Sequence, residues 1–507
     1  MKELAVINFS GGINDVIEPH LIPIEMSTDL LNADVSNGAV ISLRGLTQTD
    51  VDPNSELIYQ NGDRQITEWG NRFYWSDNET GKLNSSLGYY GVPSTDLKPN
   101  ISPGEAGGRF ITDKVYSYAY SYLTSDGFEG SLNPNLINTY KPSTDLGELV
   151  ISNFGNPPEY VTGVVVYRTL ADGAVFYRVG SKSLFDKELD DTFIFEDDVS
   201  DGSLLLRPQV DLTNLTEAIT DGKYLVEKNS VFYVAVGPFV RFSNVNDPMA
   251  YPAVNSITFD DDITGMLAFD EYVFVATKNR TYIILGDTFE DIVKRELPES
   301  QGVKNWRTIG RIRNSPVWLS NDGLCAYQQY DNRSGRKISI ISEDLKIIPK
   351  GSKSAVVADD SYYLLFDDYA LCFDFTRGLK VYRVEWVGDW GWYDKDADLL
   401  ILKQGEAYFS ANTGDELEFT YLSPEFTFGD MQNLKQIGRI HVDSNCDLKL
   451  EYYADGVLTS SYKSIKGDHD QRRFYVPPGW TGRRLQVKIS GVGELRGIKT
   501  EYIIRKS

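Results

Sequence analysis

An all-β fold, with most of the chain in a β-propeller of about six blades, is predicted by three observations. A tight-turned hairpin recurs at near-constant spacing, apolar strand runs dominate, and helical periodicity is nearly absent. The clearest hairpin spans residues 269–285, where Tyr272-Val273-Phe274-Val275 and Tyr282-Ile283-Ile284-Leu285 flank Lys278-Asn279-Arg280. Further copies turn at Asn229 (residues 224–235), Asn321-Asp322-Gly323 (317–327), Asp367-Asp368 (362–375) and Gln404-Gly405 (399–409). Each of these turns carries Asn, Asp or Gly, which tolerate positive φ. From turn to turn the steps are 50, 43, 45 and 37 residues, bracketing the roughly 40 to 50 residues of a four-stranded blade. A sixth copy, residues 66–75 turning at Gly70-Asn71, lies 158 residues upstream of Asn229. That gap is too long for one blade and predicts an insertion.

The chain is therefore divided into residues 1–106 (N-terminal strands and the first blade), 107–206 (the insertion), 207–421 (the remaining blades) and 422–507 (a C-terminal module). In the insertion, Tyr116, Tyr118, Tyr120 and Tyr122 alternate with smaller residues, which puts four rings on one face of a strand. A second hairpin turns at Ala171-Asp172-Gly173, and about seven short strands fit between Gly107 and Leu206. These features predict a small sandwich of immunoglobulin or fibronectin type III kind, with the tyrosine stripe as its core rather than a carbohydrate platform. After residue 421 the alternating strands lengthen (436–442, 448–453, 484–489), predicting a second β-sandwich. Helix is expected at two places: a short one capped by Ser27 and running to Leu31, and two turns over residues 212–219.

With 507 residues the chain is long enough for two to four domains. No apolar run reaches the roughly 18 residues of a membrane span, and the apolar part of residues 1–8 is short for a signal peptide. Synthesis in the cytosol is expected. Cys325, Cys372 and Cys446 sit in apolar strand patterns and are odd in number, so buried free thiols are expected. The net charge of −23 is uneven: residues 430–507 carry +5 and the first 429 carry −28. A body that acidic repels nucleic acid and cannot wrap it by counterion release.

The chemistry of turnover has no visible carrier. His20, His441 and His469 lie in three separate segments, which disfavours a His-based triad or metal site. Asp260-Asp261-Asp262 and the 394–398 run Asp394-Lys395-Asp396-Ala397-Asp398 invite a calcium reading, but the second has Leu399 and Gly405 where a calcium loop needs Gly and Glu. Ser320-Asn321-Asp322-Gly323 misses the sialidase turn by one place, and Tyr74-Trp75-Ser76-Asp77 is a lone copy of a receptor-propeller tetrad. No Gly-rich phosphate loop is present. The expectation is a non-enzyme with no catalytic residue, cofactor or metal.

Four blocks carry a family likeness. Phe9-Ser10-Gly11-Gly12-Ile13-Asn14, Asn32-Ala33-Asp34-Val35-Ser36-Asn37-Gly38-Ala39 and Leu43-Arg44-Gly45 make up the opening. Val240-Arg241-Phe242-Ser243, running on to Asp247-Pro248, then leads into Asp262-Ile263-Thr264-Gly265-Met266. Trp318-Leu319-Ser320-Asn321-Asp322-Gly323 and Tyr453-Ala454-Asp455-Gly456 follow in order. In this order the motifs resemble the tail nozzle and tail-hub (tail tubular protein B-like) family of short-tailed bacteriophages. The resemblance implies a structural virion protein, assembled in the host cytoplasm. Its ring, usually hexameric, would sit below the portal and adaptor, meet tail fibres or spikes, seal the packaged genome and conduct dsDNA without binding it specifically. No lumen-lining residue is singled out. Two alternatives stay open: a receptor- or glycan-binding tail protein that stacks sugars on Trp386, Trp390 and Trp392, and a propeller glycoside hydrolase with paired carboxylates in its tunnel.

Overall fold

A computed structural model of the chain describes residues 2–35, 37–50, 64–184, 193–210, 215–286, 288, 290–297, 301–331, 335–342, 345, 351–464, 472–475 and 481–505. Among these the structure is almost entirely strand, with one four-residue α-helix (Asp201–Leu204) and two short 3-10 turns. No helix among them is long and apolar enough to cross a membrane. The chain divides into two compact units. One comprises residues 1–62, 279–281 and 296–507, and the other residues 63–278 and 282–295.

All six expected hairpins are present, and each belongs to a small antiparallel meander. In the second unit these are Arg64–Trp69, Arg72–Asp77 and Lys82–Ser85; then Lys223–Lys228, Val231–Val236, Phe239–Phe242 and Ser256–Thr258; then Ile263–Ala268, Val273–Thr277, Thr281–Leu285 and Val293–Glu296. Their turns have the backbone expected of Asn and Gly: Gly70 and Asn71 lie at φ +58° and +59°, and Asn229 at +52°. The first strands of the three meanders lie side by side. Gln65 on the first reaches Met266 on the third, its amide donating to that carbonyl at 2.8 Å.

The first unit repeats the pattern with Gly310–Ile312, Ser315–Leu319, Leu324–Asp331 and Gly335–Ile340; Ser354–Ala358, Ser361–Leu365, Ala370–Asp374 and Lys380–Val384; and Trp390–Asp394, Leu399–Gln404 and Ala407–Ser410. First strands again touch, and glycine lets them do so. A Cβ on Gly310 would lie 2.6 Å from Val357, and one on Gly391 would lie 3.2 Å from Val356. The run Ala370-Leu371-Cys372-Phe373 fails to alternate polar with apolar because both of its faces are buried. Leu371 and Phe373 pack toward Val317 and Leu324, while Ala370 and Cys372 pack into a separate core with Val384 and Leu402.

The fourth strand of the last meander comes from the opposite end of the sequence: Thr47–Thr49 pairs antiparallel with Ala407–Ser410. The whole opening is woven into the C-terminal region in the same fashion. Lys2–Val6 and Val40–Ser42 add to Glu494–Arg505, and Asp29–Leu31 lies between Lys380–Val384 and Phe419–Leu422. The result is two sheets sharing one core, which includes Val6, Leu30, Val40, Ile440, Leu450 and Ile489. The helix expected over residues 27–31 is therefore absent. Ser27 Oγ donates to the Gly12 carbonyl at 3.0 Å instead of capping a turn, and a strand follows it. Of the 212–219 helix, residues 211–214 lie outside the described residues and Thr216–Glu217 is a strand.

The described residues between 100 and 210 form two sheets packed face to face. One holds Asn100–Pro103, Leu149–Ser152 and Ile194–Asp197. The other holds Tyr116–Thr124, Asn138–Tyr140, Val161–Thr169, Phe176–Ser183 and Gln209–Val210. The tyrosine stripe is the core between them, with all four rings buried. Each hydroxyl has a partner: Ile111 N donates to Tyr116, and Tyr118, Tyr120 and Tyr122 donate to Asp197, the Leu97 carbonyl and Asp96. Beside them Arg168, fully buried, lies 3.2 Å from Asp197 and over the rings of Phe110 and Tyr116, at 4.6 and 5.2 Å.

This many buried phenols sets an alkaline limit on stability. Burial holds Tyr90, Tyr118, Tyr362 and Tyr382 well above the ordinary value, and pushes Tyr89 and Tyr120 up to about 12 and the Cys325 thiol up to about 11. A free phenol ionises at pH ~10, so above that pH the unfolded chain releases protons that the folded chain keeps. The stabilisation is complete below pH ~10 and is lost as pH rises through the folded values. Melting temperature is expected to fall steeply above pH ~10, with phenolate absorbance appearing only as the protein unfolds. Phenols that titrate at their ordinary value in a protein that stays folded would contradict this burial.

Candidate functional site

A cleft of about 700 Å³ opens in the second unit. Its walls come from five separated stretches: Gly91, Pro93 and Ser94; Ser131 to Pro134; Tyr160; positions between Leu215 and Thr220; and Ala253. The fourth stretch is fixed by the strand Thr216–Glu217, which pairs antiparallel with Tyr251–Pro252. Among the described residues the lining contains no Lys, Arg, His, Asp or Glu side chain. Its polar groups are hydroxyls and one amide. Asn133 is committed to the fold, since its Oδ1 accepts from Asn135 N at 3.1 Å and its Nδ2 donates to the Thr95 carbonyl at 3.1 Å. Tyr160 is stacked on Tyr89, with ring centroids 4.3 Å apart and planes 4° apart.

Elsewhere in the second unit, carboxylates engage hydroxyls, a guanidinium and a backbone N–H. Asp126 accepts from Arg72 at 2.7 Å and from the Tyr89 hydroxyl at 3.1 Å. Glu129 accepts from Ser121 and Tyr167, both at 2.5 Å. Asp247 accepts from Met249 N at 3.1 Å, and burial raises its carboxyl above the usual range. Tyr90 and Tyr251 share a hydroxyl contact of 2.5 Å. None of these carboxylates lines the cleft. Asp126 and Glu129 thus orient the hydroxyls of Tyr89, Ser121 and Tyr167.

The residues weighed from the sequence are scattered. Asp260 accepts from Tyr282 and Asp261 from Asp262 N, while Asp394 caps its own turn through Asp396 N and Ala397 N and Asp398 takes the Tyr393 hydroxyl. These contacts stabilise turns, and among the described residues no group of three or more His, Cys, Asp or Glu is placed to hold a metal ion. His20 lies against Glu18 and His441 against Glu501, and His469 falls outside the described residues. Trp386 is a core residue, its indole N–H donating to the Arg44 carbonyl at 2.8 Å. Trp390 and Trp392 lie 5.6 Å apart on one half-buried strand face, separate from the core in which Trp386 is packed. The cleft escaped sequence reading because its walls are neutral, common residues drawn from distant positions.

No family model matches the chain, and no curated protein matches it. Among solved structures, BamB from Moraxella catarrhalis aligns at 10% identity over 62% of this chain and 96% of its own, with a TM-score of 0.23. A quinonprotein alcohol dehydrogenase-like protein from Bacteroides thetaiotaomicron aligns at 13% identity over 78% and 99%, with a TM-score of 0.29. An exo-beta-1,3-galactanase from Phanerochaete chrysosporium aligns at 10% over 90% and 99%, with a TM-score of 0.19. Similarity at this level carries no functional argument.

Proposed function

We propose that the chain is a non-enzymatic structural subunit of a short-tailed phage tail, of the nozzle or hub kind. Its six meanders close into a propeller, and residues 107–206, with the flanking strands Asn100–Pro103 and Gln209–Val210, serve as an inserted sandwich of immunoglobulin or fibronectin type III kind. Six copies form a ring that seals the portal channel and conducts DNA. The observation that carries this reading is the work done by the residues that bear the family likeness. Gly12 and Ile13 sit against Val381, with Ile13 N donating to the Val381 carbonyl at 2.9 Å. Asn32, at φ +54°, donates to Glu385 and to the Glu418 carbonyl and accepts from Glu385 N. The Arg44 carbonyl takes the Trp386 indole. The motifs are thus the stitches that tie the opening to the fifth meander and the C-terminal sandwich, as a family signature of architecture rather than of catalysis would be.

Charge placement supports the same reading. The six first strands carry Arg64, Lys223, Lys228 and Arg311 against Glu68, Glu227 and Asp394, which is close to balanced. The acid excess of the first 429 residues therefore lies outside these strands and, in the proposed ring, gives each subunit an acidic surface. The +5 C-terminal segment complements that surface on a neighbour. Association is expected to weaken as salt rises from about 0.1 M to about 1 M, because the screening length falls from roughly 10 Å to roughly 3 Å over that range. Sedimentation velocity across this range checks it, and an association indifferent to salt would contradict the electrostatic part.

A further inference from the structure

We propose that the cleft of the second unit binds a neutral oligosaccharide, a role that does not rest on ring formation. Three observations on its walls point to this ligand class. The volume of about 700 Å³ is that of a ligand pocket rather than a packing defect. Among the described residues the lining has no ionisable side chain except Tyr160, in a chain of net charge −23, so a charged ligand would meet no counter-charge from them. The polar groups offered are hydroxyls: among the described residues Ser94 and Thr216 show no side-chain hydrogen bond, which leaves them to donate and accept.

Tyr160 supplies the flat apolar surface that the C–H face of a sugar ring packs on. Its geometry is set in advance. Tyr89 covers one face at 4.3 Å and does not itself line the cleft, so the cleft meets Tyr160 on its remaining surface. Tyr89 is in turn fixed through Asp126 to Arg72. A ring held by two successive layers loses little freedom when a ligand stacks on it, which favours binding. Pro93 and Pro134 stiffen the rim.

The experiment is saturation-transfer NMR and calorimetry on the full chain, with neutral hexasaccharides of glucose, galactose, mannose and N-acetylglucosamine as probes and decaproline as a competitor. At least one hexasaccharide is expected to bind, with affinity falling about tenfold or more in Tyr160→Ala and changing less than about threefold in Tyr160→Phe. Thr216→Trp, which fills the cleft without removing the stacked ring, is expected to abolish binding, so the test survives if Tyr160→Ala fails to fold. The proposal is overturned if no hexasaccharide gives transfer at about 10 mM, if binding is unchanged in folded Tyr160→Ala or Thr216→Trp, or if decaproline binds in its place.

Discussion

Arg168→Met is expected to destabilise the pair of sheets around the tyrosine stripe by about 3–5 kcal/mol, the cost of breaking a fully buried ion pair by removing one partner. Arg168 and Asp197 are both inaccessible, 3.2 Å apart, and Asp197 also takes the Tyr118 hydroxyl at 2.6 Å and Val199 N at 3.0 Å. Without the guanidinium the carboxylate is left in an apolar core, where burial already pushes it toward the neutral form. The loss extends beyond the pair, because Arg168 also donates to the Val199 carbonyl at 2.8 Å and approaches Asp201 at 3.3 Å, fastening the segment that leads into the helix Asp201–Leu204. Replacing the network as a whole, with Arg168→Met, Asp197→Leu and Tyr118→Phe together, is expected to recover at least half of the loss, since no buried charge remains. Chemical denaturation measures both variants. A single variant as stable as the parent would show that the pair contributes little.

Gly12→Ala is the second large effect, expected at about 3 kcal/mol from left-handed strain together with overpacking. Gly12 lies at φ +71°, and its Cβ would stand 2.6 Å from Val381 N and 2.9 Å from Val381 O. The three nearest atoms are all backbone of Lys380 and Val381, so no flexible side chain is there to yield. Because Ile13 N and Ser27 both bond within this crossing, the opening strand is expected to detach from the fifth meander, visible as faster amide exchange in residues 9–14 and 27–32. Exchange unchanged from the parent would contradict the stitching role.

How much of this was legible follows from the range of the interactions. The hairpins were readable because a turn is decided within a few residues: Asn229 and Gly70-Asn71 announce their positive φ in their side chains. The tyrosine stripe was readable because period two fixes one face, and the buried partner of each hydroxyl adds only detail. The strand Asp29–Leu31 was misread as helix because what decides it is a partner almost 400 positions away, Phe419–Leu422. Local signals around Ser27 favoured a cap, and tertiary pairing overrode them. The completion of the last meander by Thr47–Thr49 was invisible for the same reason. The cleft left no trace, since Ser94, Ser131, Tyr160 and Thr216 form no pattern along the chain and carry no charge.

The proposed role rests on assembly, so the mass of the particle in solution tests it most directly. Native mass spectrometry of the purified full chain at low salt is expected to give a species of six subunit masses, and class averages of the same sample should show a ring with a central hole. A monomer that persists at all protein concentrations would contradict the account.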